Sequence, residues 1–75
     1  MLTNEIRKDL EEYYMEKYGA IILNIAPYMA ENSDGEMEQF YQVNMASDEE
    51  SFYINVDEYG AVCGGREMRY DVYRK

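Results

Sequence analysis

The spacing of apolar residues changes once along the chain, and this change constrains the fold more than any other feature of the sequence. Within residues 4–18, apolar side chains recur every three to four positions, which is typical of an amphipathic helix. Thr3 or Asn4 can cap the start of this helix, and Gly19 can end it. After Gly19 apolar and polar residues alternate, as they do in strands that bury one face. The sequence therefore predicts one helix followed by strands.

Turn-forming residues divide the rest of the chain into four strands. They occupy residues 31–36, 47–50 and 57–60. Pro27 cannot donate a hydrogen bond to a neighbouring strand, so we expect it at an edge of the sheet or at a bulge. Gly64 and Gly65 predict a bulge or bend in the last strand, which covers residues 61–73. Because short connections join antiparallel neighbours, the predicted fold is α+β, with an N-terminal helix packed on one face of a four-stranded antiparallel meander.

The alternation also assigns side chains to the core between the helix and the sheet. These side chains belong to the helix stripe and to one strand face: Ile6, Leu10, Tyr14, Ile21, Leu23, Ile25, Tyr41, Val43, Phe52, Ile54, Val56, Val62, Met68 and Val72. A chain of 75 residues suffices for one domain with a marginal core. We therefore expect a single domain over residues 1–75.

The residue types that the chain lacks disfavour several functional classes. Cys63 is the one cysteine and there is no histidine, so an internal disulfide cannot form and zinc, copper and haem sites are disfavoured. The segment 32–36 fails as a calcium loop, because Ala30 and Tyr41 stand at its first and last ligand positions. The sequence contains no nucleotide-binding glycine motif and no nucleophile–histidine pair. We therefore expect no enzymatic activity, metal or cofactor.

Charge and hydropathy indicate the compartment and the class of partner. Residues 1–18 are too charged for a signal peptide, and no apolar run approaches the roughly 20 residues of a membrane-spanning helix. With the single cysteine, these features predict a cytoplasmic protein. The net charge of −9 repels nucleic acid and anionic membranes, so we expect no direct contact with either. The expected partner is a basic protein of the nucleic-acid-binding kind.

The acidic residues form the first candidate site. A net charge of −9 exceeds the roughly 2–8 charges that keep a small domain soluble. Carboxylates on one face of a strand repeat about every 6.8 Å, and duplex DNA carries one phosphate per about 1.7 Å of axis. A rigid acidic sheet can therefore occupy a groove built for nucleic acid. The residues assigned to this role lie at hairpin ends and on the face opposite the helix: Glu36, Glu38, Asp48, Glu49, Glu50, Asp57 and Glu58.

Aromatic residues form the second candidate site, on the same face. Tyr28, Phe40 and Tyr53 alternate away from the helix. Tyrosine combines a large contact area with a polar tip and is enriched at interfaces. These three side chains are expected to anchor a partner.

Two functional hypotheses follow from these sites. In the first, the protein is a small non-enzymatic inhibitor that mimics nucleic acid and blocks the basic channel of its partner. Counter-defence proteins of phages and mobile elements, including anti-CRISPR and anti-restriction proteins, offer an analogy of size and charge. In the second, the protein is a self-associating structural or regulatory domain. Its aromatic sheet face is then buried in a homodimer, and the charge keeps the dimer soluble.

Overall fold

The structure confirms the α+β fold. A computed structural model describes residues 2–65, and the part of the last strand predicted beyond Gly65 lies outside them. The elements are α1 (Asn4–Tyr18), β1 (Ile21–Glu31), β2 (Met37–Ala46), β3 (Ser51–Asp57) and β4 (Val62–Gly65). The four strands form one antiparallel sheet in the order β1-β2-β3-β4. Pro27 lies in β1, at an edge of this sheet, as predicted.

Local hydrogen bonds fix both ends of α1. Thr3 Oγ1 accepts a hydrogen bond from the N–H of Ile6 at 3.1 Å, so Thr3 is the N-cap. Gly19 adopts a φ of 65°, and its N–H donates to the carbonyl oxygen of Met15 at 2.9 Å. Glycine takes this left-handed conformation at little cost, which is why the helix ends there. Within residues 2–65, no helix is long and apolar enough to cross a bilayer.

The core lies between α1 and one face of the sheet. Tyr14 of α1 is only 1% exposed, and Val43, Met45, Ile54 and Val56 have no exposed surface. Full burial of one such side chain stabilises the fold by about 1.5–3 kcal/mol before entropy is counted. Within residues 2–65, the buried cluster consists of Leu10, Tyr14, Ala20, Tyr41, Val43, Met45, Ile54 and Val56.

A β-bulge near the start of β1 overturns part of the predicted core. The register shifts between Ile22, which lies opposite Met45, and Asn24. One extra residue in a strand reverses the facing of every side chain on its far side. Ile22 therefore packs against the core, whereas Ile21 and Leu23 are 54% and 56% exposed. The prediction that Ile21 and Leu23 are core residues was wrong, because strict alternation leaves no place for the extra residue.

Two alanine substitutions test the position of this bulge. Ile22→Ala should lower the free energy of unfolding by about 1–3 kcal/mol, because the side chain is partly buried against the core. Leu23→Ala removes an exposed side chain and should change the free energy by less than about 0.5 kcal/mol. Urea unfolding followed by circular dichroism measures both values. Equal costs for the two variants would contradict the observed register.

The turn between β1 and β2 is closed by the side chain of Asn32. Its Oδ1 accepts hydrogen bonds from the N–H of Asp34 at 2.9 Å and from the N–H of Glu36 at 3.0 Å. Gly35 takes a φ of 83°, and its N–H donates to the carbonyl oxygen of Asn32 at 3.0 Å. Asparagine favours turns because its short side chain can bond to the backbone just ahead of it. The segment is thus a hairpin turn, as predicted.

The turn between β3 and β4 repeats this arrangement with a carboxylate in place of the amide. Asp57 Oδ1 accepts hydrogen bonds from the N–H groups of Tyr59 and Ala61, both at 2.9 Å. Gly60 takes a φ of 86°, close to the value in the first turn. A Cβ atom on Gly60 would lie 2.7 Å from Cγ2 of Ile6, whereas the glycine of the first turn has nothing within 4 Å. The N-terminal part of α1 therefore packs directly on the turn between β3 and β4.

The two glycines offer a matched test of this contact. Gly35→Ala should cost about 1–2 kcal/mol of unfolding free energy, because alanine is strained at positive φ. Gly60→Ala should cost at least about 1 kcal/mol more, because its methyl group also displaces Ile6. Chemical unfolding of both variants measures the difference.

The double variant Ile6→Ala/Gly60→Ala serves as the control for that measurement. If the clash with Ile6 causes the extra cost, the two substitutions should be non-additive and the pair less destabilising than their sum. Strict additivity would mean that α1 does not touch the turn.

Candidate protein-binding surface

The face of the sheet that points away from α1 is not covered by any element of residues 2–65. We call it the open face. Along β2 and β3, buried residues alternate with residues that are only partly buried or exposed, as the two-residue period of a strand requires. The open face comprises Asn24, Ala26, Tyr28, Ala30, Glu38, Phe40, Gln42, Asn44, Tyr53, Asn55 and Asp57.

The three predicted aromatic anchors all lie on the open face. Tyr28 and Phe40 are direct cross-strand partners, and their rings stack with centroids 5.8 Å apart. Tyr53 lies on β3 and is 46% exposed. Partial burial raises the pKa of Tyr28, and the nearby Cys63 and Tyr53 raise this pKa further. Tyr28 is therefore a neutral ring at physiological pH.

A shallow groove separates Tyr28 from Tyr53. Its volume is about 370 Å³, and we call it the tyrosine groove. The groove is lined by Ala26, Pro27, Tyr28, Gln42, Tyr53 and Asn55. Alternation along the strands places the two tyrosines on this face but does not predict the groove. The amide residues that alternate with the apolar residues of β2 and β3 are visible in the sequence, but their position beside the tyrosines depends on strand register.

Amide side chains continue the open face next to the groove. Asn44 Nδ2 donates a hydrogen bond to Asn24 Oδ1 at 2.8 Å, across β1 and β2. The same nitrogen lies 3.5 Å from Gln42 Oε1, which is a long and weak hydrogen bond. This part of the face therefore presents neutral hydrogen-bonding groups between the two tyrosines.

The predicted acidic residues divide into two groups at opposite ends of the sheet. Successive strands are antiparallel, so the first and third turns lie at one end and the second turn at the other. β2 joins these ends and spans roughly 30 Å. Glu36, Glu38, Asp57 and Glu58 lie at the first end, and Asp48, Glu49 and Glu50 lie at the second.

Some of these acidic residues also hold the turns in place. Glu38 Oε1 accepts a hydrogen bond from Asn32 Nδ2 at 3.0 Å, and Asp57 closes the third turn. At the other end, Ser47 Oγ accepts hydrogen bonds from the N–H groups of Glu49 and Glu50, both at 3.3 Å. Glu38 and Asp57 thus have structural partners as well as charge, and they are the two acidic residues on the open face.

Charge is distributed unevenly between the helix and the sheet. Residues 19–65 contain nine acidic residues and neither lysine nor arginine. The three basic residues of the described chain, Arg7, Lys8 and Lys17, all lie on α1. Arg7 forms an ion pair with Glu11 at 3.4 Å, and both side chains are about half exposed, so this pair contributes little to stability. The sheet up to Gly65 is therefore an acidic surface without cations.

Cys63 lies in β4 and is exposed. We expect its thiol to be less reactive than this exposure suggests. The Sγ atom lies 3.5 Å from the carbonyl oxygen of Asn55, to which the thiol donates a hydrogen bond. Partial desolvation of the sulfur raises the pKa of Cys63, and the carboxylates of Asp57 and Glu38 raise this pKa further. Desolvation and the two carboxylates each favour the neutral thiol over the thiolate.

Alkylation kinetics test this environment. Only the thiolate reacts, so a raised pKa means a smaller reactive fraction at any given pH. The rate of carbamidomethylation by iodoacetamide should have its midpoint at a higher pH than that of the same reaction with an unstructured cysteine peptide. Asp57→Asn should lower that midpoint, because asparagine can still close the turn, as Asn32 does, but carries no charge. A midpoint in the native protein at or below that of the peptide would contradict the assignment.

Neither a metal site nor a known relative assigns a function to this surface. Within residues 2–65, no three Cys, Asp or Glu side chains come together in a way that could hold a metal ion. The chain matches no family model, and no curated protein and no solved structure shows significant similarity to it. The geometry and charge of the open face are therefore the basis for a functional proposal.

Proposed function

We propose that this protein is a small non-enzymatic inhibitor that binds the basic nucleic-acid channel of another protein through its open face. The observation that carries the proposal is the charge of the sheet: residues 19–65 hold nine acidic residues and no basic one. A surface of one sign attracts an oppositely charged partner over long range and repels partners of its own sign. Such a surface selects a basic protein and rejects nucleic acid.

The amount of charge fits competition with a nucleic acid. Nine carboxylates lie in the strands and turns of a sheet whose longest fully paired strand spans roughly 30 Å. One strand of nucleic acid carries about nine phosphates over the same length, because its phosphates are about 3.4 Å apart along the axis. The sheet therefore presents about the charge of a single nucleic-acid strand of its own size, on a scaffold that does not need to be ordered upon binding.

The aromatic residues of the open face supply contact area once the partner has approached. Tyr28 and Tyr53 are 37% and 46% exposed, which leaves each ring with surface to bury. Burial of apolar area stabilises a complex at about 25 cal/mol per Å², whereas exposed charge pairs mainly affect the rate and the salt dependence of association. The acidic residues thus direct the encounter, and the tyrosines hold the complex.

A homodimer through the same face is the second candidate function, and the exposed tyrosines are the observation that favours it. Two open faces that meet would bring Glu38 and Asp57 of both copies together, and residues 19–65 offer no cation to offset their repulsion. Charge therefore favours a basic partner over a second copy. Sedimentation equilibrium at low and high salt distinguishes the two: a dimer that strengthens with salt would support the second candidate.

Affinity capture with charge-neutral variants tests the proposal. In Glu38→Gln/Asp57→Asn, two charges leave the open face while the turn acceptors are kept. Glu12→Gln/Glu16→Gln removes the same charge from α1 and is the matched control. Immobilised native protein should capture a nucleic-acid-binding protein from host lysate at low salt, release it at high salt, and lose it to added nucleic acid.

The two variants distinguish an effect of the charge on the open face from an effect of the total charge of the protein. The open-face variant should bind the captured protein several-fold more weakly, and the α1 variant should bind it as the native protein does. Equal weakening by both variants, or a captured protein that nucleic acid does not displace, would contradict the proposal.

A further inference from the structure

The register of three strands builds the floor of the tyrosine groove. Ala26 lies opposite Gln42 on β2, and Gln42 lies opposite Asn55 on β3. Alanine is the smallest of these side chains, and it leaves space over β1 that the neighbouring residues do not fill. The floor is therefore a depression with an alanine at one end and two amide side chains beside it.

The two tyrosines stand on opposite sides of this floor. Tyr28 comes two residues after Ala26 on β1, and Tyr53 comes two residues before Asn55 on β3. β1 and β3 run in the same direction, because both are antiparallel to β2. Their Cα atoms are therefore offset by four residues along the strands, or about 13 Å, and by two strand spacings, or about 10 Å, across them. With a volume of about 370 Å³, the groove has room for one long side chain and not for a folded element.

The groups around the groove define the chemistry of its occupant. Two tyrosine rings favour a flat or cationic group, and the amide oxygens of Gln42 and Asn55 accept hydrogen bonds. Asp57 does not line the groove, but it lies on the same face two residues after Asn55 and directly opposite Phe40, whose ring stacks on Tyr28, so its negative charge is near the groove. The occupant must therefore be planar, rich in hydrogen-bond donors, and positive.

We propose that the tyrosine groove binds an arginine side chain of the basic partner. The guanidinium group is planar, carries five N–H donors, and stacks on aromatic rings, whereas the lysine ammonium is a compact and strongly hydrated charge. This inference rests on the proposed function for the source of the arginine, and it adds the residue type that the groove selects. Within residues 2–65, a second copy of the chain could supply only Arg7, which already forms an ion pair with Glu11.

Two synthetic peptides of equal length and charge test the preference directly. In one, arginine alternates with glycine, and in the other lysine takes every arginine position. Titration followed by NMR should show about three- to tenfold tighter binding of the arginine peptide. The largest shifts should occur at the Tyr28 and Tyr53 rings and at the side-chain amides of Gln42 and Asn55. Equal affinities, or shifts centred on the hairpin ends, would overturn the proposal.

Three tyrosine variants distinguish binding in the groove from attraction to the acidic surface as a whole. Tyr53→Ala should bring the ratio of the two affinities close to one, and Tyr53→Phe should keep the preference, because the ring remains. Tyr59→Ala is the matched control, since Tyr59 is 77% exposed in the third turn and does not line the groove. Far-ultraviolet circular dichroism checks that each variant is folded. A preference that survives Tyr53→Ala would also overturn the proposal.

The outcomes separate this inference from the proposed function. If both peptides bind equally and salt weakens both, the acidic surface recruits cations and the arginine site is wrong. If the arginine preference is found but no captured protein is displaced by nucleic acid, the groove is confirmed and the channel-blocking function is wrong. If neither peptide binds, both proposals are contradicted.

Discussion

One constraint governs the structure of residues 2–65: a single helix buries only one face of a four-stranded sheet. α1 has 15 residues and is about 22 Å long, enough to cover the buried residues of β2 and β3. Strand side chains alternate, so burying Val43 and Ile54 on one face places Gln42 and Asn55 on the other. The existence of an open face follows from the fold. The residue types on the open face do not follow from the fold, so they are the features that can indicate a function.

The two related turns show which charges the fold needs. Asn32 and Asp57 make the same pair of backbone hydrogen bonds, through an amide in one turn and a carboxylate in the other. The turn therefore requires an oxygen acceptor and not a negative charge. The negative charge of Asp57 is therefore not needed for the turn. This charge lies on the open face, and it raises the pKa of Cys63.

The elements that depend on local sequence were predictable, and those that depend on register were not. The cap at Thr3, the helix end at Gly19 and the edge position of Pro27 each follow from the chemistry of one or two residues. The bulge that exposes Leu23 arises from the pairing of β1 with β2, which no local pattern reports. Met45 belongs to the buried cluster although it was not assigned to the core.

The same distinction between local sequence and strand register applies to the candidate site. The facing of its three aromatic residues was predictable from alternation alone. The tyrosine groove was not, because Ala26, Gln42 and Asn55 come together only once three strands are aligned. The acidic residues were identified by type, but their separation into two ends depends on the order of the strands.

For the proposed function, the positions of the charges on the two sides of the sheet matter more than the net charge of the protein. The basic residues of α1 lie on the far side of the sheet from the open face, about 10 Å or more away. The Debye length at physiological salt is about 8 Å, so their potential is largely screened at the open face. Within residues 2–65, the open face therefore carries Glu38 and Asp57 near two tyrosines and no basic residue. Under the proposed function, lysine and arginine of a partner would experience similar attraction at long range, and selection between them would fall to the short-range contacts of the groove.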